Sequence, residues 1–137
     1  MDSYKKNNLE FKKYIPLVKT IAEMFGKKCE VVLHDFSEPQ KSIVAIENGH
    51  VTGRKIGDPI TDLALSVWKK GGYGNKKTDR IVNYKTKSKD GKILKSSTVF
   101  IRNNQKKIIG CICINYDITI HSMFYKVMDE FCSTVDL

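Results

Sequence analysis

The sequence is poor in several features that mark whole classes of protein. None of its apolar runs approaches the roughly 20 residues of a membrane-spanning helix, and the polar residues 1–8 lack the apolar stretch of a secretory signal. Four cysteines in 137 residues are too few for a disulfide scaffold. The chain also has no phosphate loop, Gly-x-Ser-x-Gly elbow or zinc-hydrolase motif. We therefore expect a cytoplasmic protein with reduced thiols, no membrane association and no enzymatic activity.

Arginine is scarce as well, since only three of the 24 basic residues are arginines. The formal net charge is nevertheless +9, and the segment 69–107 holds 13 basic but only two acidic residues. We favour lysine-rich edge strands, whose charge discourages aggregation, because no aromatic residues alternate with the lysines to stack on bases. A nucleic-acid-binding module that uses the segment 69–107 is the alternative.

The spacing of the apolar residues predicts the elements of one domain, the usual content of a chain of this length. Helices are predicted near 14–25, 60–70 and 119–131, and strands at 29–35, 42–47, 80–87, 94–102 and 108–116. The last strand is the most apolar and is therefore expected at the centre of the sheet. Runs of hairpin-linked strands with flanking helices predict an α+β fold around a five-stranded antiparallel sheet.

The stretch 42–59 begins as an apolar strand and continues as a loop rich in glycine and polar residues. Asn48-Gly49 indicates a tight turn, and Pro59 closes the loop before the next helix. Loops of this composition often hold a binding site. A connection that is merely kept open by glycine is equally consistent with the sequence.

Polar residues of this loop and of two strands form a candidate ligand site: His34, His50, Thr52, Arg54, Asp58 and Asn115. Arg54 offers a planar fork to a carboxylate or phosphate, and the charge of His50 responds to small shifts near neutral pH. Structural roles are also open, because His34 can satisfy a strand end, Asp58 can cap the next helix and Arg54 can brace the loop against Asp58 or Asp62.

Two cysteines, Cys111 and Cys113, share one face of a predicted strand and are compatible with two metal ligands. No second cysteine pair or histidine-rich pattern accompanies them, so buried structural thiols are the favoured interpretation. We expect no metal and no cofactor. A small enzyme built on His34, Asp35 and His50 with a cysteine is the least favoured function.

Several longer motifs resemble the YheO-like PAS domain family: CEVVLHD at 29–35, SIVAI at 42–46, NGHVTGR at 48–54, GDP at 57–59, the segment from Asn83-Tyr84 to Thr98, and CINYD at 113–117. The resemblance covers roughly Tyr14 to Phe131. It implies a PAS-like sheet with flanking helices and a ligand pocket between them. It also implies a bacterial transcription regulator whose C-terminal helix-turn-helix domain, missing from this chain, binds DNA.

These expectations divide the chain into a flexible segment at 1–13, a sensor domain at 14–131 and a tail at 132–137. The sensor is expected to bind an unidentified small polar molecule and to pass the signal to the DNA-binding domain. The apolar stripe of the last helix can pack on this domain. If Met123, Phe124, Val127 or Phe131 is instead exposed, the helix indicates a homodimer.

Overall fold

The computed structural model describes residues 9–70 and 79–137, without the side chains of Leu63, Val67 and Lys70. Residues 1–8 of the predicted flexible segment, and the glycine-rich residues 71–75 that were expected to end the second helix, lie outside the described residues. Within the rest of the segment predicted to be flexible, residues 9–12 are helical and Phe11 is buried.

After the helical residues 9–12, the described part of the chain contains three helices and five strands: α1 Ile15–Phe25, β1 Cys29–Asp35, β2 Ile43–Glu47, α2 Asp62–Lys70, β3 Arg80–Lys87, β4 Ile93–Arg102, β5 Ile108–Asp117 and α3 Thr119–Cys132. The strands form one antiparallel sheet in the order β2-β1-β5-β4-β3. Short 3₁₀ turns lie at Pro39–Lys41 and Gly49–Val51. The predicted fold class and the central position of β5 are confirmed.

Helix α1 begins and ends where its sequence dictates. Pro16 lies in the first turn, where its missing N–H costs no helical hydrogen bond. Gly26 ends the helix with a φ of +86°, which glycine adopts without strain. Its N–H donates to the carbonyl of Ala22 at 2.9 Å.

The two faces of β1 are buried in two different layers, as the alternation of its residues predicts. One layer contains Cys29, Val31 and Leu33 together with Val18 and Ala22 of α1. The other layer contains Val32, Cys111, Cys113 and Phe100. Both faces of the sheet are therefore covered near β1, and the second face carries the polar groups described below.

Strand β3 departs from the alternation predicted for it. Ile81 and Tyr84 are three residues apart, whereas their partners on β4, Thr98 and Ser96, are two residues apart. The extra residue forms a β-bulge, within which Asn83 has a φ of +59°. Strict alternation would place Ile81 and Tyr84 on opposite faces of the sheet, but the bulge puts both side chains on the same face.

Helix α2 covers part of that second face. The Trp68 ring lies 4.9 Å from the Phe36 ring, and its indole Nε1 donates to the carbonyl of Ile108 at 3.2 Å. At the start of the helix, the hydroxyl of Thr61 accepts a hydrogen bond from the N–H of Ala64 at 3.2 Å. Thr61 therefore caps α2, whereas Asp58, for which the sequence also allowed this role, accepts a hydrogen bond within the loop instead.

Helix α3 has no buried residue within the described part of the chain. Its apolar stripe is therefore not covered by the described residues of this domain, in contrast to the stripe of α1. None of the described helices combines the length and the hydrophobicity needed to span a bilayer.

Candidate functional site

A hydrogen-bonded row of polar side chains crosses four strands on the second face of the sheet. Asn115 of β5 donates from Nδ2 to Oε1 of Glu30 on β1 at 3.0 Å. The hydroxyl of Ser96 on β4 donates to Oδ1 of Asn115 at 2.7 Å, and the hydroxyl of Thr86 on β3 lies 2.8 Å from that of Ser96. The register places these residues side by side, because Asn115 pairs with both Glu30 and Ser96. We call these four residues the polar row.

Glu30 joins the polar row to the glycine-rich loop. It is fully buried, and its Oε2 accepts hydrogen bonds from the N–H of Thr52 at 3.2 Å and from the hydroxyl of Thr52 at 2.6 Å. A buried carboxylate is costly unless it is hydrogen-bonded in this way. Glu30 was not among the predicted site residues, although a glutamate inside the apolar run CEVVL was a usable signal.

A cavity of about 690 Å³ lies between the loop, the start of α2 and the polar row. Four of the predicted site residues line it: Thr52, Arg54, Asp58 and Asn115. Tyr84, Thr86 and Cys113 contribute to the wall from β3 and β5. The structure therefore brings together most of the candidate residues that the sequence analysis named.

Arg54 and Asp58 both bond to the loop that carries them. The Arg54 guanidinium donates to the carbonyl of Pro59, and no ion pair to Asp58 or Asp62 occurs among the described residues. Asp58 accepts from the N–H of Lys55 at 3.0 Å, which closes a turn of the loop. These bonds brace the loop and leave both side chains in the cavity wall.

The two histidines of the predicted site lie elsewhere. His50 is exposed, and its Nε2 lies 2.8 Å from the carbonyl of Lys27, outside the cavity lining. His34 is completely buried beneath the cavity face, and its Nδ1 lies 2.7 Å from the hydroxyl of Ser42. Whether either residue contacts a ligand stays a prediction.

His34 shares its surroundings with the cysteine pair. A ring nitrogen of His34 and the Sγ atoms of Cys111 and Cys113 lie within 4.8 Å of one another, and all three residues are buried. The two sulfurs are 3.7 Å apart. We call these residues the His-Cys-Cys cluster. The cysteine pair was predicted from the sequence, whereas the histidine beside it was not.

Burial and hydrogen bonds shift the acidities around this cluster. Burial raises the pKa of Cys111, whereas the hydrogen bond from Cys111 lowers the pKa of Cys113, and His34 acts in the same direction. Cys113 lies 3.3 Å from the Thr98 hydroxyl, which lies 2.7 Å from that of Tyr84. Burial raises the pKa of Tyr84 to about 12, so its phenol is neutral at physiological pH.

The family model of the YheO-like PAS domain matches residues 5–133. The chain belongs to this family. A relative, protein YheO of Escherichia coli K12, is 38% identical over 122 residues, which are 88% of this chain and 48% of the relative. An uncharacterised protein of Haemophilus influenzae is 36% identical over 108 residues, 78% of this chain and 47% of that protein. The chain therefore spans about half the length of these curated relatives.

Solved structures support the PAS fold of this YheO-like domain. A PAS domain from Colwellia psychrerythraea has a TM-score of 0.50 at 20% identity and covers 76% of this chain and 98% of its own. An RNA-binding light-oxygen-voltage receptor has a TM-score of 0.53 at 14% identity, over 89% of this chain and 38% of the receptor. At these identities the likeness concerns the fold alone. Membership of the YheO-like PAS family supports a regulatory sensory role for this chain, because PAS domains are generally regulatory rather than catalytic.

Proposed function

We propose that this PAS domain senses a small polar molecule for a bacterial DNA-binding transcription regulator. The observation that carries the proposal is the cavity, whose volume of about 690 Å³ falls within the usual range for small-molecule sites. Its wall combines the Arg54 guanidinium, two carboxylates (Asp58 and Asp62), two lysines (Lys87 and Lys89) and several neutral hydrogen-bonding groups. A zwitterion of amino-acid size matches this set, since Arg54 suits a carboxylate and Asp58 suits an ammonium group.

A physical connection runs from the cavity to α3, the last helix of the chain. Thr52 in the cavity wall bonds to Glu30, and Glu30 bonds to Asn115. Two residues beyond Asn115, Asp117 accepts hydrogen bonds from both the N–H and the hydroxyl of Thr119, where α3 begins. A ligand that prefers one arrangement of the loop would thereby bias the start of α3. We propose that α3 passes this bias to the DNA-binding helix-turn-helix domain of the regulator.

Ligand binding is tested with the standard amino acids as probes. Thermal unfolding identifies a probe that raises the midpoint temperature, since binding to the folded state alone stabilises it. Calorimetry then measures the affinity for that probe in Arg54→Ala, and in Lys55→Ala as a matched control, because Lys55 is an exposed cation of the same loop and does not line the cavity. We expect Arg54→Ala to weaken binding at least about tenfold and Lys55→Ala to leave it unchanged. Unchanged affinity in Arg54→Ala would refute the assignment.

We propose further that α3 pairs with α3 of a second copy. Ile120, Phe124, Val127 and Phe131 recur at intervals of four and three residues, the spacing of a coiled-coil seam. Each of these side chains is more than half exposed. A stripe with this spacing is complementary to itself, so a second copy of the chain is the partner that it fits.

Sedimentation velocity tests the dimer. Phe124→Glu places a charge in the seam and should yield monomers, whereas Tyr125→Glu places the same charge on an exposed residue beside the seam and should leave the dimer intact. A wild-type chain that stays strictly monomeric at high protein concentration would exclude this homodimer.

A further inference from the structure

The proposed ligand sensing gives no role to the three side chains of the His-Cys-Cys cluster. Two thiols and one imidazole converge inside the protein on the sheet face below the cavity. The sheet register produces this placement, because His34 pairs with Cys111 across β1 and β5 and Cys113 follows on the same face of β5. Thiolate and imidazole are the ligands that Zn²⁺ prefers in proteins.

The geometry of the cluster is close to that of a tetrahedral zinc site. Two thiolates bound to one Zn²⁺ at about 2.3 Å are roughly 3.8 Å apart, and the two sulfurs here are already 3.7 Å apart. A zinc-bound imidazole nitrogen would lie roughly 3.5 Å from each sulfur. A ring nitrogen of His34 lies within 4.8 Å of them, so a movement of at most about 1.3 Å completes the arrangement.

His34 is held in the orientation that a metal ligand requires. Its Nδ1 is 2.7 Å from the hydroxyl of Ser42, while its buried Nε2 has no hydrogen-bond partner among the described residues. A buried nitrogen without a partner is costly, and coordination through Nε2 would satisfy it. Ser42 would then accept from Nδ1–H, as the outer-shell partners of metal-bound histidines commonly do.

Neither a disulfide nor a pair of structural thiols explains the cluster as well. Cys111 and Cys113 are two positions apart on an extended strand, so their Cα atoms are about 6.6 Å apart, close to the upper limit of about 6.8 Å for a disulfide. Structural thiols would leave Nε2 of His34 without a hydrogen bond of ordinary geometry among the described residues. A metal ion uses all three donor atoms at once.

We propose that His34, Cys111 and Cys113 bind one Zn²⁺ ion. Two thiolates balance its charge, which makes burial of the complex acceptable. Three protein donors leave the fourth tetrahedral position to a further ligand. Because Cys113 belongs to the cavity wall, water or a small molecule from the cavity can supply that ligand. The role of a cavity molecule rests on the proposed function, whereas metal binding does not.

Cobalt titration of the whole chain tests the proposal, with Cys132→Ser as the background because Cys132 is an exposed free thiol. Co²⁺ added to reduced, chelator-treated protein should give thiolate-to-cobalt charge-transfer absorption that saturates at one ion per chain, and Zn²⁺ should displace it. Absence of this absorption would overturn the proposal. Formation of a Cys111–Cys113 disulfide under mild oxidant, without metal uptake, would equally overturn it in favour of a redox pair.

Three matched variants locate the site. Cys113→Ser should lower the affinity at least about tenfold and reduce the charge-transfer intensity by about half, because one of two thiolates is lost. His34→Asn keeps a polar group near Ser42 but removes Nε2, and should also weaken binding at least about tenfold. Cys29→Ser is the control, since Cys29 is equally buried but lies on the opposite face. Equal loss in Cys29→Ser would assign the effect to general destabilisation and refute the site.

A second measurement does not depend on whether a variant folds. Wild-type protein is alkylated with iodoacetamide, with and without Zn²⁺, and the labelling of each cysteine is followed by mass spectrometry. Zn²⁺ should slow the labelling of Cys111 and Cys113 at least about tenfold more than that of Cys29, because bound thiolates are not free nucleophiles. Equal protection of all three cysteines would contradict the proposal. This result is independent of amino-acid binding, so the zinc site and the proposed sensory function can fail separately.

Discussion

Asn115 of β5 donates a hydrogen bond across 3.0 Å to the carboxylate of Glu30, which is fully buried on β1. The same carboxylate accepts two further hydrogen bonds from Thr52. The three described groups that bond to the Glu30 side chain therefore all donate hydrogen bonds. Each of them needs a carboxylate oxygen of Glu30 as its acceptor. One residue thus fixes the glycine-rich loop to the centre of the sheet, next to the cavity.

We expect Glu30→Gln to destabilise the fold by about 1–3 kcal/mol. A glutamine has nearly the same shape, but its NH₂ group would face either Asn115 or Thr52 as a second donor, which leaves buried groups unpaired. Urea unfolding measures the loss. Glu47→Gln on β2, which is only partly buried, is the control and should change the free energy of unfolding by less than about 0.5 kcal/mol. Similar losses in both variants would contradict this role of Glu30.

Position 110 requires glycine because there is no room for a side chain, and not because of its backbone conformation. Its φ is not positive, yet a Cβ atom there would overlap the carbonyl oxygen of His34 and the ring of Phe11. We expect Gly110→Ala to cost about 3 kcal/mol or more. Gly53→Ala should cost only about 1–2 kcal/mol, since its φ is +78° but the space around it is open.

Unfolding measurements on both glycine variants test this ranking. A further variant that combines Gly110→Ala with Phe11→Leu should recover little stability, because the carbonyl of His34 belongs to the backbone of β1 and cannot move aside. Full recovery would show that the Phe11 ring, and not the close approach of β1 and β5, requires glycine at this position.

The partly buried Tyr84 is expected to make the stability of the domain fall as the pH becomes alkaline. Burial raises its pKa from 10 to about 12 in the folded chain. Its contribution to stability is therefore complete below about pH 10 and is lost as the pH rises towards 12, because the unfolded chain releases this proton first. The free energy of unfolding of wild type should fall more steeply over this range than that of Tyr84→Phe. Tyr125→Phe, at an exposed position, should retain the wild-type slope.

Much of the fold follows from the sequence because local patterns report local structure. The alternation CEVVLHD places the residues of β1 on the correct faces, and Pro16 and Gly26 mark the ends of α1. The β3 bulge could not be predicted in this way, since strict alternation was the simplest interpretation of residues 80–87. Asn83 tolerates the positive φ that the bulge needs, but many asparagines do so without forming one.

The candidate site was less accessible to prediction because it depends on register between distant strands. Thr52, Arg54 and Asp58 lie in one short loop, so their common position in the cavity wall could be anticipated. The pairing of His34 with Cys111 joins residues 77 positions apart. No periodicity within either strand determines that pairing, and the zinc hypothesis therefore arises only from the structure.

Asn48 holds the start of the glycine-rich loop through both its backbone and its side chain. Its φ is +55°, and its Nδ2 donates to the carbonyls of Gly26 at 3.1 Å and Cys29 at 2.8 Å.

Asn48→Gly keeps the backbone conformation but loses both hydrogen bonds, which should cost about 1–2 kcal/mol. Asn48→Ala loses the bonds and adds the left-handed strain of a Cβ atom, for about 1–2 kcal/mol more. Urea unfolding of the two variants separates the contributions, and equal stabilities would show that the left-handed conformation costs nothing at this position. Because this anchor lies four residues before Thr52, hydrogen exchange in both variants should quicken for the N–H of Thr52 more than for the amides in the middle of β5.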